Sequence, residues 1–267
     1  MMFATSSTST CCAISGTRWF SLPTYEPHGI PGCAVPAGWP SRMLSPLQER
    51  LRRLVAQLPD TETVALAGGA ALIVRGIVDR PTRDLDFFAT SPEEVDRLLP
   101  QLEVLLTNDG LEVRRIQVAD GFARLLVSTD TATTTIDLGW DARRFPLEQA
   151  EDGPILSEDE LAADKTLALF GRAAARDFID VAALESRHGL DRLCALAAEK
   201  DPGFNRPVLS DMLRSFDRLP RADFDVDDAE FRRLGKLVND WLQQLEIELP
   251  NNPGREPGKD TTPGLGR

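Results

Sequence analysis

The sequence predicts an α+β fold, with a mixed sheet that carries helices and an all-helical region after it. Three observations lead there. Between residues 64 and 109 short apolar runs alternate with stretches of helical periodicity. Three more strand-like runs follow, separated by Asp120-Gly121 and by Thr129-Asp130-Thr131, which suits antiparallel hairpins. After Pro154 the strand signals stop and capped helical stripes take over.

The elements justify themselves in order. Ser45-Pro46-Leu47-Gln48 is an N-cap with proline at the first helical position, and Leu47, Leu51, Leu54, Val55 and Leu58 form an apolar stripe behind it. Val64-Ala65-Leu66-Ala67 reads as a short buried strand that runs into Gly68-Gly69, where missing Cβ atoms allow a tight turn and close approach to a ligand. A helix is expected over 70–78 and a strand over 84–89. Ser91-Pro92-Glu93-Glu94 starts a helix that Asn108-Asp109-Gly110 stops. Strands are expected over 111–117, 123–128 and 133–138, then helices over 157–171, 174–188, 189–199, 206–216 and 227–248. Ser157-Glu158-Asp159-Glu160 reads as a capping box.

Residues 1–43 look different: rich in Ser, Thr, Pro, Gly and Cys, and without helical periodicity. They are either a disordered extension or the product of a start codon placed too far upstream, Met43 being the natural start; the second reading is favoured. The tail 250–267 is Pro, Gly and polar and is expected to be disordered. The organisation read from the sequence is therefore 1–43 extension, 44–153 catalytic α/β domain, 154–249 helical domain and 250–267 tail.

At 267 residues, 42% hydrophobic and 27% charged, the chain has length and composition for a real core. No apolar run approaches the roughly 20 residues that span a bilayer. The N-terminus has no basic segment followed by an apolar one, as a secretory signal would. No membrane partner and a cytoplasmic location are expected. Of Cys11, Cys12, Cys33 and Cys194 only the last lies in the region read as folded, which argues against a disulfide framework and against a zinc site. His28 and His188 are too few for a histidine site. The net charge of −12 is awkward for binding nucleic acid, although a local basic patch suffices and an acidic surface can meet a basic protein.

The candidate chemistry lies at Ala67-Gly68-Gly69-Ala70-Ala71 and Arg80-Pro81-Thr82-Arg83-Asp84-Leu85-Asp86-Phe87-Phe88. Strand alternation points Asp84 and Asp86 to one side and Leu85 and Phe87 into a core. Two such carboxylates repel each other unless a cation sits between them. A hard divalent ion such as Mg²⁺ takes oxygen ligands of that kind and shares its shell with substrate phosphates. Gly68 and Gly69, opening a helix N-terminus, would cradle those phosphates. Two-metal chemistry asks for a third carboxylate, which Asp137 supplies from Thr134-Thr135-Ile136-Asp137-Leu138. The joint pattern points to nucleotidyl transfer from an NTP.

A second constellation runs from Asp164-Lys165 through Arg172 and Arg176 to Asp177 and Asp180. Lys165 and Arg172 are two turns apart on one helix face, joined by Arg176 if the helix continues. A lysine there reaches triphosphate oxygens as a point charge, and arginines grip phosphate in bidentate fashion, with Asp177 and Asp180 as ion-pair partners that orient them. A solvated charged face is the plain alternative.

Gly68-Gly69, Arg83-Asp84-Leu85-Asp86-Phe87-Phe88, Asp137 and Asp164-Lys165 with Arg172, Arg176-Asp177-Phe178 and Asp180 together resemble the nucleotidyltransferase toxins of the AbiEii/AbiGii type, which include the MenT toxins. The resemblance covers about residues 62–185. It implies a DNA-polymerase-β-like catalytic domain with a helical C-terminal region. It also implies the toxin role in a type IV toxin–antitoxin or phage-defence pair, with a cognate antitoxin as partner and tRNA 3′ ends or other RNA as acceptor. Carried over by position, Asp84 and Asp86 are the metal pair and Lys165 the nucleotide contact. Asp180 is the late acidic residue, with Asp177 as its alternative. Many members carry Ser near the second glycine; Gly69-Ala70 here removes a hydroxyl from the cradle. The catalytic set expected is thus Asp84, Asp86, Asp137, Lys165 and Asp180. Two other readings stand beside it: transfer onto a small molecule such as an antibiotic, and a silent relative that only binds a partner protein.

Overall fold

Helix α1 (Pro46–Val55) opens the computed structural model, which describes residues 44–59 and 62–248. The expectations for 1–43 and 250–267 lie outside the described residues. Ser45 and Gln48 close a reciprocal cap on α1: the Ser45 hydroxyl accepts from the Gln48 N–H at 3.2 Å, and the Gln48 side chain accepts from the Ser45 N–H at 2.9 Å. The buried Gln48 amide then donates to the Thr82 carbonyl at 3.0 Å and to the Thr134 hydroxyl at 3.3 Å. One side chain thereby caps a helix and fixes the loop that leads into the acidic strand.

Strand β1 (Ala65–Ala67) is fully buried and made of small and aliphatic residues. Helix α2 (Gly68–Val74) starts at the glycines themselves and stops earlier than the expected Val78. Gly76 ends it: φ is +65°, its N–H donates to the Ile73 carbonyl and the Ile77 N–H to that of Leu72, a Schellman closure. Strand β2 (Asp84–Ala89) alternates as expected, Leu85, Phe87 and Ala89 being buried. Helix α3 (Pro92–Asn108) buries Val95, Leu98, Leu99, Leu102 and Leu106.

Strands β3 (Glu112–Ala119), β4 (Phe122–Ser128) and β5 (Thr133–Trp140) form the expected antiparallel meander. A further hairpin, β6 (Leu147–Ala150) and β7 (Gly153–Leu156), has no counterpart in the sequence reading. It extends the sheet to seven strands in the order β3-β4-β5-β2-β1-β7-β6. β2 pairs parallel with β5 and antiparallel with β1, and β1 pairs parallel with β7. The sheet is mixed, and the boundary expected at 153/154 falls inside β7.

Helices α4 (Glu158–Gly171), α5 (Ala175–His188), α6 (Leu190–Lys200), α7 (Arg206–Leu213) and α8 (Asp228–Glu248) complete the described chain. Phe178, Phe216, Phe224 and Phe231 pack edge to face and stacked at the heart of this region. One continuous apolar core joins it to the sheet, from Leu66 and Ile155 through Leu161 to Leu193 and Trp241. The capping box expected at Ser157 is only half formed. The Ser157 hydroxyl accepts from the Glu160 N–H at 3.3 Å, but the Glu160 carboxylate turns away to accept from the N–H groups of Arg144 and Phe145 at 3.0 and 2.6 Å. No described helix is long and apolar enough to cross a membrane.

Candidate active site

The parallel pairing of β2 with β5 sets Asp86 directly beside Asp137, and alternation brings Asp84 to the same face. Each of the three offers a carboxylate oxygen within 4.8 Å of the other two. That is a costly arrangement for three anions. Burial pushes the Asp86 carboxyl up to about 7, helped by the charges of Asp84 and Asp137 and opposed by Lys165 and Arg176. Burial also raises Asp137, against the pull of Arg124. Asp84 is held in place by the Thr82 hydroxyl, which donates to it at 2.9 Å.

Gly68 is glycine for two separate reasons. Its φ of +61° lies in the left-handed region, and a Cβ there would sit 1.8 Å from Asp86 Oδ2. The backbone of the β1–α2 turn therefore lies against the acidic cluster. At Gly69 a Cβ would lie 3.1 Å from both the Arg80 guanidinium and the Thr82 hydroxyl, so this turn is tightly packed too.

Arg124 belongs to the site and is absent from the sequence reading. It lies opposite Asp137 in the β4–β5 register and donates to both its oxygens, at 2.7 and 2.5 Å. The guanidinium also lies over the Phe122 ring, 5.9 Å from its centroid. A signal was present: Arg124 is the one charged residue in the apolar run of β4. Its role depends on the strand register, which the sequence does not print.

Lys165 on α4 is buried, with its ammonium 2.9 Å from Asp180 Oδ2. Asp180, wholly buried on α5, also accepts two bonds from Arg80, each 2.8 Å. Burial alone would raise Asp180; Lys165 and Arg80 outweigh it and hold the carboxyl below its ordinary range. Both of its oxygens are committed to cations. Asp180 is thus placed as a support for Lys165 rather than as a group open to substrate. Arg80, in the loop before β2, is the second site residue that sequence reasoning missed.

The helix that carries Lys165 does not continue to Arg176. Helix α4 ends at Gly171, Ala173 takes φ +47°, and α5 begins afresh at Ala175. Arg172 donates to both oxygens of buried Asp177 at 2.8 Å, and Asp177 also accepts from the Ala174 N–H at 3.0 Å, capping α5. Arg176 is exposed in the first turn of α5, and its positive charge acts on both Asp86 and Asp137. The break delivers Arg176 towards the triad from a second helix.

An α+β sheet with an acidic triad, a glycine turn against it and cations from the following helices is an arrangement suited to nucleotidyl transfer. Residues 50–246 match the family described as the nucleotidyl transferase AbiEii toxin of type IV toxin–antitoxin systems, and the chain belongs to that family. No curated protein matches the sequence. Among solved structures, JHP933 of Helicobacter pylori shares 22% identity over 77% of this chain and 96% of its own, with a TM-score of 0.49. Another H. pylori structure, described as that of a nucleotidyltransferase, shares 21%, over 75% and 96%, with a TM-score of 0.48. The RNA terminal uridylyl transferase Cid1 shares 16% over 52% of this chain and 38% of its own, with a TM-score of 0.30.

Proposed function

We propose that this nucleotidyltransferase toxin moves an NMP from an NTP onto the 3′ end of an RNA, with tRNA as the acceptor. The observation that carries the reading is the triad of Asp84, Asp86 and Asp137 beside Lys165 and Arg176. It is an anionic cluster whose repulsion only a cation relieves, flanked by cations suited to phosphate.

The donor set fits a hard divalent ion, Mg²⁺ in the cell: three carboxylates with converging oxygens, one of them held up to about 7 by its neighbours and by burial. Asp84 and Asp86 hold it first. Asp137, both of whose oxygens accept from Arg124, would be the third donor. Bound there, such ions supply charge for the attacking oxygen and for the leaving pyrophosphate.

The chain's own residues do the rest. The Gly68-Gly69 turn receives the phosphates against the triad. Lys165 contacts the triphosphate as a point charge, kept in place by Asp180 and Arg80, while Arg172 and Arg176 meet the phosphates from the α4–α5 junction. The acceptor hydroxyl oxygen forms a bond to the α-phosphorus, the α–β anhydride bond breaks, and pyrophosphate leaves. The hydroxyl proton passes to a carboxylate of the triad. Exposed Arg83 and Arg176 give the acidic protein local positive charge for an RNA end. The substrates place the reaction in the cytoplasm, with a cognate antitoxin opposing it.

Incubating purified protein with each labelled NTP, Mg²⁺ and total tRNA tests the reading. Label in the tRNA band, lost in Asp84→Asn, is the expected result. Label on an aminoglycoside but on no RNA would move the acceptor to a small molecule. No transfer to either would leave a partner-binding role.

A further inference from the structure

Away from the triad lies a second acidic group, Asp141, Glu160 and Asp164, whose carboxylate oxygens also come within 4.8 Å of one another. This one is already filled. The ammonium of Lys200, the last residue of α6, donates to Asp141 at 2.5 Å, to Glu160 at 2.6 Å and to Asp164. An ammonium has three donors, and each is spent on a different carboxylate. The Lys200 side chain is 2% exposed and that of Glu160 1%.

The three anions come from separate parts of the fold. Asp141 follows β5 directly, and its N–H donates to the Ala89 carbonyl at the end of β2, so it marks where both acidic strands finish. Glu160 and Asp164 lie one turn apart on α4, and Asp164 precedes Lys165. Helix α4 is therefore gripped twice, by Lys200 through Glu160 and Asp164, and by Asp180 through Lys165.

We propose that Lys200 is a positioning residue for nucleotide binding: its ammonium locks α4 to the ends of β2 and β5 and so fixes where Lys165 stands relative to Asp86. The geometry favours this over a purely stabilising part. Buried charges contribute little net stability compared with apolar side chains of similar volume, whereas a three-way grip permits a single register of helix on sheet. Burial pushes Asp164 up to about 7 against the pull of Lys200, and its Oδ2 is buried with no hydrogen-bond partner; Lys200 bonds all three carboxylates, and the charge of Arg143, in the loop between β5 and β6, also acts on them. The inference rests on the reading of Lys165 as a nucleotide contact.

Removing Lys200 alone would strand three carboxylates, so two compensated variants carry the test. Asp164→Asn loosens the grip beside Lys165 while relieving charge. Lys200→Met combined with Asp141→Asn and Asp164→Asn removes the ammonium and leaves Glu160 with its two backbone donors. Each is titrated with ATP, GTP, CTP and UTP in turn at fixed Mg²⁺ by calorimetry, beside Lys165→Ala and wild type. The dissociation constant for the preferred NTP is expected to rise severalfold in Asp164→Asn and ~10-fold or more in the triple variant, each measured well below the variant's own melting temperature. Wild-type binding by a folded triple variant would overturn the inference. Should the triple variant fail to fold, wild-type binding by Asp164→Asn would overturn it. If Lys165→Ala itself binds NTP like wild type, the nucleotide-contact reading fails, which is a separate result.

Discussion

Replacing Asp86 by Asn should make the cation-free protein more stable while removing its activity. The folded carboxyl titrates at about 7 instead of 3.8, for reasons of burial first and then of the neighbouring charges of Asp84 and Asp137. At about 1.36 kcal/mol per pH unit, ionising it in the fold costs up to ~4 kcal/mol. Asp86 keeps partial access to water, which reduces the cost, so ~1–3 kcal/mol is the expected gain on making the group neutral. The sign follows from proton binding. Between 3.8 and about 7 the folded state holds more protons than the unfolded one, so wild-type stability falls as pH rises through that window. The gain should be full above it and should vanish towards about pH 4. Urea denaturation in EDTA at about pH 4 and about pH 8 measures both ends. Saturating Mg²⁺ should close the gap at the higher pH by stabilising wild type alone, and transfer by the variant should drop ~10²–10³-fold. An Asp86→Asn protein no more stable than wild type at about pH 8 would refute the argument that burial and neighbouring carboxylates hold the Asp86 carboxyl far above its ordinary range.

Gly68→Ala forces a Cβ to within 1.8 Å of Asp86 Oδ2 at a φ of +61° and should cost ~2–4 kcal/mol in denaturation, together with transfer activity; a wild-type melting curve would show that the turn relaxes freely. Arg124→Ala strands the buried Asp137 carboxylate and should cost ~3–5 kcal/mol without cations, with part restored by Mg²⁺ as the ion replaces the guanidinium. Thermal melts with and without the ion read this, and an equal loss in both would mean that Asp137 takes no part in holding it. Lys165→Ala should weaken NTP binding ~10-fold or more in calorimetry, and Lys165→Arg should restore only a part, because a planar guanidinium cannot stand in for a point charge. Full recovery in the arginine variant would speak against a compact contact.

What could be read in advance was what local pattern carries. Asp84 and Asp86 on one strand face, the glycine turn, and the caps of α1, α3 and α4 all depend on residues a few positions apart. Asp137 was expected as the third carboxylate, but its parallel register beside Asp86 joins strands distant in sequence, and spacing alone does not give such registers. Arg80, Arg124 and Lys200 escaped for the same reason: their partners, Asp180, Asp137 and the Asp141 cluster, lie on other elements. The β6–β7 hairpin was hidden by its residues. Its strands have four residues each, and Glu148, Gln149 and Pro154 weaken any strand signal. Lys165 and Arg172 were legible as cations on one helix, and so was the break into helices over 157–171 and 174–188, but the direction the chain takes there depends on a backbone angle at Ala173 that alanine rarely adopts.

The parallel pairing of β2 with β5 also bears on when the protein becomes dangerous. Parallel neighbours cannot be joined by a tight hairpin, so Asp86 and Asp137 meet only after the intervening helix and meander have been laid down. Lys165 and its support Asp180 arrive later still, from the helices that follow. A nascent or truncated chain that ends before α5 holds the carboxylates without the anchored lysine. Under the proposed mechanism, activity requires the chain through α5, and synthesis itself sets a delay before the toxin can act.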